Sequence, residues 1–204
     1  MDLFTYDATL CVQMQAAELW GIDEAGRGPL AGPVCAAAVW IPPDVRLVGL
    51  DDSKKLTEKQ RAALFPLILA NCMYGVGWAT PGEIDRVNIL QATFLAMRRA
   101  YAQLRGLREK DPDLTVVDGN QNPALRSKTH MIVKGDAKSA AIAAASVVAK
   151  VTRDRYMCDL DQQNPQYQFS RHKGYPTKLH YELIETFGVG PEHRMSFLKK
   201  QMGG

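Results

Sequence analysis

The spacing of apolar residues along the chain predicts strands first and helices later. Turn residues separate the predicted strands: segment 26–33 contains three glycines and two prolines, which predicts an irregular loop. Two capping boxes, each followed by an apolar stretch, mark the starts of predicted helices. Strands are predicted at residues 19–23, 34–41, 73–79, 114–117 and 130–134, the first three forming an antiparallel meander.

Capping residues mark where two of the predicted helices begin. Thr57 with Gln60, and Thr80 with Glu83, each form a capping box. The first predicts a helix to about residue 71, and the second predicts a largely helical segment to about residue 104. Pro66 lies inside the first helix and predicts a kink or an early stop, because proline lacks the backbone N–H that a helix needs.

Further helices are predicted near both ends of the chain. The Ala-rich stretch 139–149 predicts a closely packed helix with Asp136 as its N-cap, and Thr177 caps a helix that stops at Gly188. A short amphipathic helix is predicted before residue 19. Along the chain, strands come first, alternating strands and helices follow, and helices come last. This order predicts an α/β layer fold on a mixed sheet.

Composition narrows the class of protein without giving a function. With 204 residues, 46% hydrophobic and 23% charged, the chain is typical of one globular domain. Its net charge of +3 is too small to identify a nucleic-acid partner. Four scattered cysteines predict reduced thiols in a cytoplasmic protein. The most apolar run, 11 residues, is too short to span a membrane.

Acidic residues stand at the ends of predicted strands and before the Ala-rich helix. A buried carboxylate is costly without a partner, and converging carboxylates repel one another unless a cation lies among them. Mg²⁺ prefers such oxygen ligands, and two ions can activate a water and stabilise the leaving oxygen of a phosphodiester. No His or Cys spacing predicts zinc instead. The candidate metal-binding acids are Asp23, Glu24, Asp118 and Asp136.

Each acid also has a simpler explanation. Asp118 followed by glycine is typical of a turn, and Asp136 alone is typical of an N-cap. Asp23 and Glu24 would point to opposite faces of a regular strand, and only a strand end or a bulge would let both serve one site. The pattern alone leaves a shared metal site and separate structural acids equally open.

Whole motifs are more specific than single acids. Segment 21–33, GIDEAGRGPLAGP, resembles the N-terminal signature of bacterial ribonuclease HII along its full length. Six more motifs match in order, and the resemblance covers roughly residues 17–198. These are DSKKL at 52–56, NILQAT at 88–93, VDG at 117–119, KGDAKS at 134–139, the Ala-rich helix through residue 154, and HKGYPT at 172–177.

The resemblance implies an RNase H-like fold: a mixed five-stranded sheet flanked by helices, with a helical C-terminal part. It implies one catalytic domain over 1–204, whose segment from about residue 155 binds substrate. It further implies a hydrolase that cuts the RNA strand of RNA–DNA hybrids and nicks duplex DNA 5′ to a single ribonucleotide, leaving 3′-hydroxyl and 5′-phosphate ends. The four candidate acids would be catalytic and would bind two Mg²⁺ or Mn²⁺ ions.

The resemblance also assigns substrate contacts. Backbone amides near Gly26, Arg27 and Gly28 would sense the 2′-hydroxyl together with Tyr175, whose ring would stack on the next deoxyribose. Without the resemblance, these residues fit a tight turn and a half-buried aromatic. Polar and basic side chains would contact phosphates: Ser53, Lys54, Lys55, Lys173 and Lys178. Other arginines belong to no motif and fit a solvated charged face: Arg98, Arg99, Arg105 and Arg108.

Two alternative functions stay open. Ribonuclease HIII has a similar core, but it usually carries an extra N-terminal domain and its signature lacks Arg-Gly-Pro-Leu. A non-catalytic nucleic-acid binder on the same fold would gain nothing from four acids that face phosphate. We expect a monomer. We see no clamp-binding motif, so a sliding-clamp partner is not supported.

Overall fold

A five-stranded sheet forms the centre of the computed structural model, which describes residues 2–50 and 56–202, without the side chains of 199–202. The strands are β1 (Leu19–Ala25), β2 (Val34–Trp40), β3 (Met73–Ala79), β4 (Leu114–Asp118) and β5 (Lys128–Ile132). Their order in the sheet is β3-β2-β1-β4-β5.

The strand pairing confirms the predicted mixed sheet. Strands β1, β2 and β3 form the predicted antiparallel meander, while β4 pairs parallel with β1 and β5 pairs parallel with β4. Strand β5 spans Lys128–Ile132, two residues earlier at both ends than predicted, and its exposed first residue is not marked by the apolar pattern. The parallel pair β1 and β4 places two carboxyl ends at one edge.

Helices cover both faces of this sheet. They are α1 (Leu3–Met14), α2 (Glu58–Asn71), α3 (Pro81–Arg108), α4 (Ala140–Gln163), α5 (Phe169–His172), α6 (Lys178–Phe187) and α7 (Met195–Met202). Both predicted capping boxes are present, at Thr57 and Thr80. In the described part of the chain, no helix is long and apolar enough to cross a membrane.

Two predictions about helices need correction. Asp136 does not cap α4, because Ser139 accepts the N–H of Ile142 at 3.3 Å and Asp136 lies in a preceding 3₁₀ turn. Pro66 does not stop α2, which continues to its predicted end because its apolar face is buried. Residue 155, from which the substrate-binding segment is predicted, lies within α4, and the segment itself stays a prediction.

Glycines in the strands let both covering helices approach the sheet closely. A Cβ at Gly21 would lie 2.1 Å from the carbonyl carbon of Ala141 in α4, and one at Gly77 would lie 2.1 Å from the carbonyl oxygen of Ala96 in α3. Side chains alternate along β1, so Ile22 packs on the α3 side. Asp23 is therefore on the α4 side, where it is hydrogen-bonded by Ser146.

The buried carboxylate of Asp7, on α1, gives a prediction about stability. Its Oδ2 accepts the N–H of Ala141 at 2.9 Å, while its Oδ1 is buried without a partner. Burial raises the pKa of Asp7 from 3.8 to about 6. The folded protein therefore holds this proton more tightly than the unfolded chain does. Asp7 costs no stability below pH 3.8, the cost grows as the pH rises from 3.8 to 6, and it is complete above pH 6.

We expect Asp7→Asn to be more stable than the wild type at pH 7, by roughly 1–3 kcal/mol, and equal to it near pH 4. The amide oxygen can still accept the N–H of Ala141. Urea unfolding of both proteins at the two pH values measures the difference, and other titrating groups cancel in the comparison. A variant that is less stable by the same amount at both pH values would contradict this account.

Candidate functional site

Three acids lie where β1 and β4 diverge. The ladder between these parallel strands ends at the pair Ile22 and Val117, and the next residues are Asp23 and Asp118. Asp23 is 6% exposed, and Glu24 follows it while still paired with β2. Ligand sites of parallel sheets commonly lie beyond the carboxyl ends of their strands. The predicted acids therefore lie where such a site forms.

The electrostatics of this edge show that the acids crowd one another. Burial raises the pKa of Asp23 well above its ordinary value, and the charges of Glu24 and Asp118 raise it further. Hydrogen bonds from Ser146 and from the N–H of Glu24, at 2.7 Å, act in the opposite direction. The site therefore favours any cation that could enter it.

Glu24 has a cationic neighbour of its own. Burial raises the pKa of Glu24, while the guanidinium of Arg27, 3.4 Å from Oε1, lowers it. The charge of Asp118 acts with burial to raise it. Glu24 lies within the regular ladder between β1 and β2, in which neighbouring side chains point to opposite faces. Its carboxylate is nevertheless close enough to Asp118 for the charge of Asp118 to raise its pKa, which the alternation of faces did not predict.

The fourth acid directly follows a residue that is hydrogen-bonded to this edge. The N–H of Gly135 donates to Oδ1 of Asp118 at 2.6 Å, and the next residue, Asp136, is 2% exposed. We call Asp23, Glu24, Asp118 and Asp136 the acidic cluster. As they stand, no three acidic, His or Cys side chains of residues 2–50 and 56–202 are arranged to hold a metal ion.

The structure brings the predicted ribose-sensing residues together beside the acidic cluster. A Cβ at Gly28 would lie 3.9 Å from Cε1 of Tyr175 and close to nothing else, so this glycine faces open space. The N–H of Leu30 donates to the carbonyl of Gly174 at 2.8 Å, which joins the two loops. Gly26 differs, because its φ of 95° and its contact with Arg153 require glycine for packing.

The residues that were predicted to contact phosphates differ in how accessible they are. Lys178 is exposed and lies 3.6 Å from Glu182. The ammonium of Lys173 is bound to the carbonyl of Ser170 and lies 3.4 Å from Sγ of Cys158, so it is engaged within the protein. The remaining predicted contacts lie outside the described residues: Ser53, Lys54 and Lys55.

The arginines without a motif all lie on α3 and form contacts within the protein. Arg99 pairs with Glu83 at 2.7 Å, and Arg108 pairs with Glu18 at 2.8 Å. Arg105 pairs with Asp111, and Arg98 donates to the carbonyl of Pro123. These four arginines are therefore better explained by contacts within the protein than by contacts with a substrate.

Sequence reasoning missed three buried histidines that support the loop of Tyr175. His180 lies 3.0 Å from the carbonyl of Tyr175, and His172 accepts the N–H of Gly174 at 3.1 Å. His193 lies 3.2 Å from His180. Burial lowers the pKa of His180 to about 4, so this group is neutral at physiological pH. The motif HKGYPT at 172–177 contains one of these histidines, but its sequence did not indicate this packing.

A mixed sheet in this order, with acids at the carboxyl ends of its parallel pair, defines the class as an RNase H-like enzyme. The family model for ribonuclease HII matches residues 20–200. The chain is also 52% identical over 186 residues to ribonuclease HII of Vibrio campbellii, covering 90% of this chain and 86% of that protein. This chain belongs to the ribonuclease HII family.

Solved structures agree with this assignment. Ribonuclease H2 from Pyrococcus horikoshii is 29% identical, with a TM-score of 0.68 over 88% of this chain and 93% of that one. The RNase HII chain of a PCNA complex from Archaeoglobus fulgidus is 25% identical, with a TM-score of 0.69 over 87% of this chain and 94% of that one. The predicted fold and ribonuclease H activity are confirmed, and ribonuclease HII is the enzymatic alternative that fits.

Proposed function

We propose that the chain nicks duplex DNA 5′ to a single embedded ribonucleotide, in addition to cutting the RNA strand of hybrids, and leaves 3′-hydroxyl and 5′-phosphate ends. The observation that carries this proposal is the juxtaposition of two parts. The acidic cluster lies at the divergence of β1 and β4. The open side of Gly28, in the loop that follows β1, lies next to the ring of Tyr175.

The acidic cluster is chemically suited to a hard divalent cation. All four side chains offer carboxylate oxygens, and burial, together with the charge of Asp118, raises the pKa values of Asp23 and Glu24. We propose that Asp23, Glu24, Asp118 and Asp136 hold two ions, with Mg²⁺ and Mn²⁺ as the candidates. Bound there, such ions would activate a water and stabilise the leaving 3′ oxygen.

Neighbouring groups would hold these carboxylates in position. Ser146 of α4 orients Asp23, and the N–H of Gly135 orients Asp118. Such supporting hydrogen bonds fix the direction of a ligand before the cation binds. Arg27, which is half exposed, neutralises part of the charge of Glu24 and can exchange this partner for a phosphate.

Substrate recognition would depend on the loop next to the acidic cluster. The amides of Arg27 and Gly28 would bond the 2′-hydroxyl, and Tyr175 would stack on the following deoxyribose. Lys178 is well exposed and suits a phosphate contact, whereas Lys173 would first have to leave its internal partners. The helical segment from about residue 155 would form the rest of this surface.

Partners and location follow from the same proposal. The Archaeoglobus fulgidus relative was solved with PCNA, which concerns that protein. For this chain we propose a monomer, and its sequence gives no support for a sliding-clamp contact. The described cysteines form no disulfide, which accords with a reducing cytoplasm.

The direct test is cleavage of a DNA duplex that carries one ribonucleotide, with Mg²⁺, with Mn²⁺ and with EDTA. We expect one nick 5′ to the ribonucleotide with either metal ion and none with EDTA. The matched all-DNA duplex should stay intact. Tight binding without a metal-dependent nick would favour the non-catalytic binder instead.

Replacement of Tyr175 separates recognition of one ribonucleotide from cleavage in general. We expect Tyr175→Ala to reduce cleavage at a single ribonucleotide by about 10-fold or more, since stacking on one nucleotide contributes roughly 1–3 kcal/mol. Cleavage of a long hybrid should fall less. Single-turnover rates on the two substrates measure the ratio.

Tyr74→Ala is the matched control, because Tyr74 is a partly buried tyrosine on β3, outside the segment from residue 155. Its side chain packs against the hydrophobic core and has no proposed role in binding. We expect it to keep the wild-type ratio between the two substrates. An equal loss on both substrates for Tyr175→Ala would refute its reading role.

A further inference from the structure

Two arginines lie completely inside the protein beneath the loop of residues 26–33, which we call the glycine loop. Arg153 of α4 and Arg194, just before α7, are both 0% exposed. An arginine side chain stays charged at neutral pH even when it is buried. Among the described residues, neither guanidinium forms an ion pair with a carboxylate within 4.0 Å. Burial of two unpaired cations is costly, so their hydrogen bonds must compensate.

Arg194 binds backbone carbonyls of the glycine loop through all three of its nitrogens. Nη2 donates to the carbonyl of Gly26 at 2.7 Å, and Nη1 donates to that of Arg27 at 3.0 Å. Nε donates to the carbonyl of Gly32 at 2.9 Å. One rigid planar group therefore fixes both ends of this loop.

These carbonyl contacts determine where the neighbouring amides point. In a trans peptide the carbonyl oxygen and the following N–H point in opposite directions. Because the carbonyls of Gly26 and Arg27 point toward Arg194, the N–H groups of Arg27 and Gly28 point away from it. No described residue accepts a hydrogen bond from either of these amides. Both donors therefore face the open side of the loop, and no residue of the described ranges occupies them.

Arg153 connects this loop to the loop of Tyr175. Its Nε donates to the carbonyl of Pro33 at 2.9 Å and its Nη1 donates to that of Lys173 at 3.1 Å. Its guanidinium carbon lies 5.8 Å from the ring centroid of Tyr175. A Cβ at Gly26 would lie 2.0 Å from Nε of Arg153, so the first glycine of the loop is what admits this side chain.

We propose that Arg194 and Arg153 are positioning residues that set the selectivity for a single ribonucleotide. Arg194 turns the amides of Arg27 and Gly28 toward the ribose, and Arg153 keeps Tyr175 in register with them. This inference rests on the proposed function, since it assigns those amides to the 2′-hydroxyl. The two buried charges also place a positive potential beneath the loop, which suits an anionic substrate.

The test compares Arg194→Lys and Arg153→Lys with the wild type, because lysine keeps the charge but loses the planar fork. Single-turnover kcat/KM is measured on a duplex with one ribonucleotide and on a fully hybrid duplex. We expect a loss of about 10-fold or more on the first substrate and less than about 3-fold on the second. Equal losses on both, or unchanged selectivity, would overturn the proposal.

Arg108→Lys is the matched control, because Arg108 is a largely buried arginine paired with Glu18 at the far end of β1. We expect it to keep the wild-type selectivity. If the lysine variants fail to fold, amide NMR shifts of Arg27 and Gly28 decide the question, measured on Asp118→Asn with the ribonucleotide duplex and with its all-DNA match. Shifts specific to the ribonucleotide support the proposal, and identical shifts overturn it. A wild type that nicks neither duplex would refute the proposed function itself.

Discussion

Asp118→Asn is expected to abolish cleavage and to make the folded protein more stable. Asparagine keeps the shape of the side chain, and its oxygen can still accept the N–H of Gly135. The change removes one of the negative charges that raise the pKa values of Asp23 and Glu24. Repulsion within the acidic cluster therefore falls, while one ligand for the divalent cation is weakened.

We expect single-turnover cleavage to fall by at least about 1,000-fold, which corresponds to roughly 4 kcal/mol of transition-state stabilisation. The free energy of unfolding without divalent ions should rise by about 1 kcal/mol. Duplex binding should stay near the wild-type level. Asp44→Asn, on an exposed turn, is the control and should change neither quantity. Normal turnover by Asp118→Asn would refute the assignment, and a loss of stability would contradict the electrostatic argument.

Gly21→Ala is expected to have the largest effect on folding. The added methyl group would lie 2.1 Å from the carbonyl carbon of Ala141 and 2.4 Å from the backbone nitrogen of Ile142. Neither atom belongs to a side chain that could rotate away, so α4 would have to move off the sheet. Overpacking of this kind costs typically 1–3 kcal/mol, and we expect a loss of at least about 3 kcal/mol here.

Activity should fall together with stability in Gly21→Ala, because α4 carries Ser146 and Arg153. Denaturant unfolding and the nicking assay measure the two effects. Gly106→Ala is the matched control: it lies in α3, and a Cβ there meets nothing within 4 Å. We expect it to be as stable as the wild type or more stable by up to about 1 kcal/mol. A Gly21→Ala protein with wild-type stability would show that the backbone contact is looser than described.

The sequence predicted the elements of the fold well because local signals governed them. Apolar runs of strand length located all five strands, and the capping boxes of Thr57 and Thr80 located two helix starts. The prediction failed where two nearby residues could each cap the same helix. Asp136 and Ser139 are both good N-caps, and only the three-dimensional path of the chain selects Ser139. In α2, buried packing outweighed the helix-breaking tendency of Pro66.

The candidate site was predictable only in part. Composition and spacing could not show that Asp118 lies beside Asp23, since their proximity depends on the parallel pairing of β1 and β4 across about ninety residues of sequence. The motif resemblance supplied that connection. It did not indicate that Arg194 supports the glycine loop, because a lone arginine in an unremarkable stretch carries no pattern from which burial could be predicted.

The most direct measurement is the location of bound Mn²⁺ in crystals of the wild-type protein with a nicked product duplex, by anomalous scattering. The account predicts Mn²⁺ among the carboxylates of Asp23, Glu24, Asp118 and Asp136, next to the phosphate end of the product. Ions found only at exposed acids such as Asp159, with the acidic cluster left unbound in the presence of product, would contradict it.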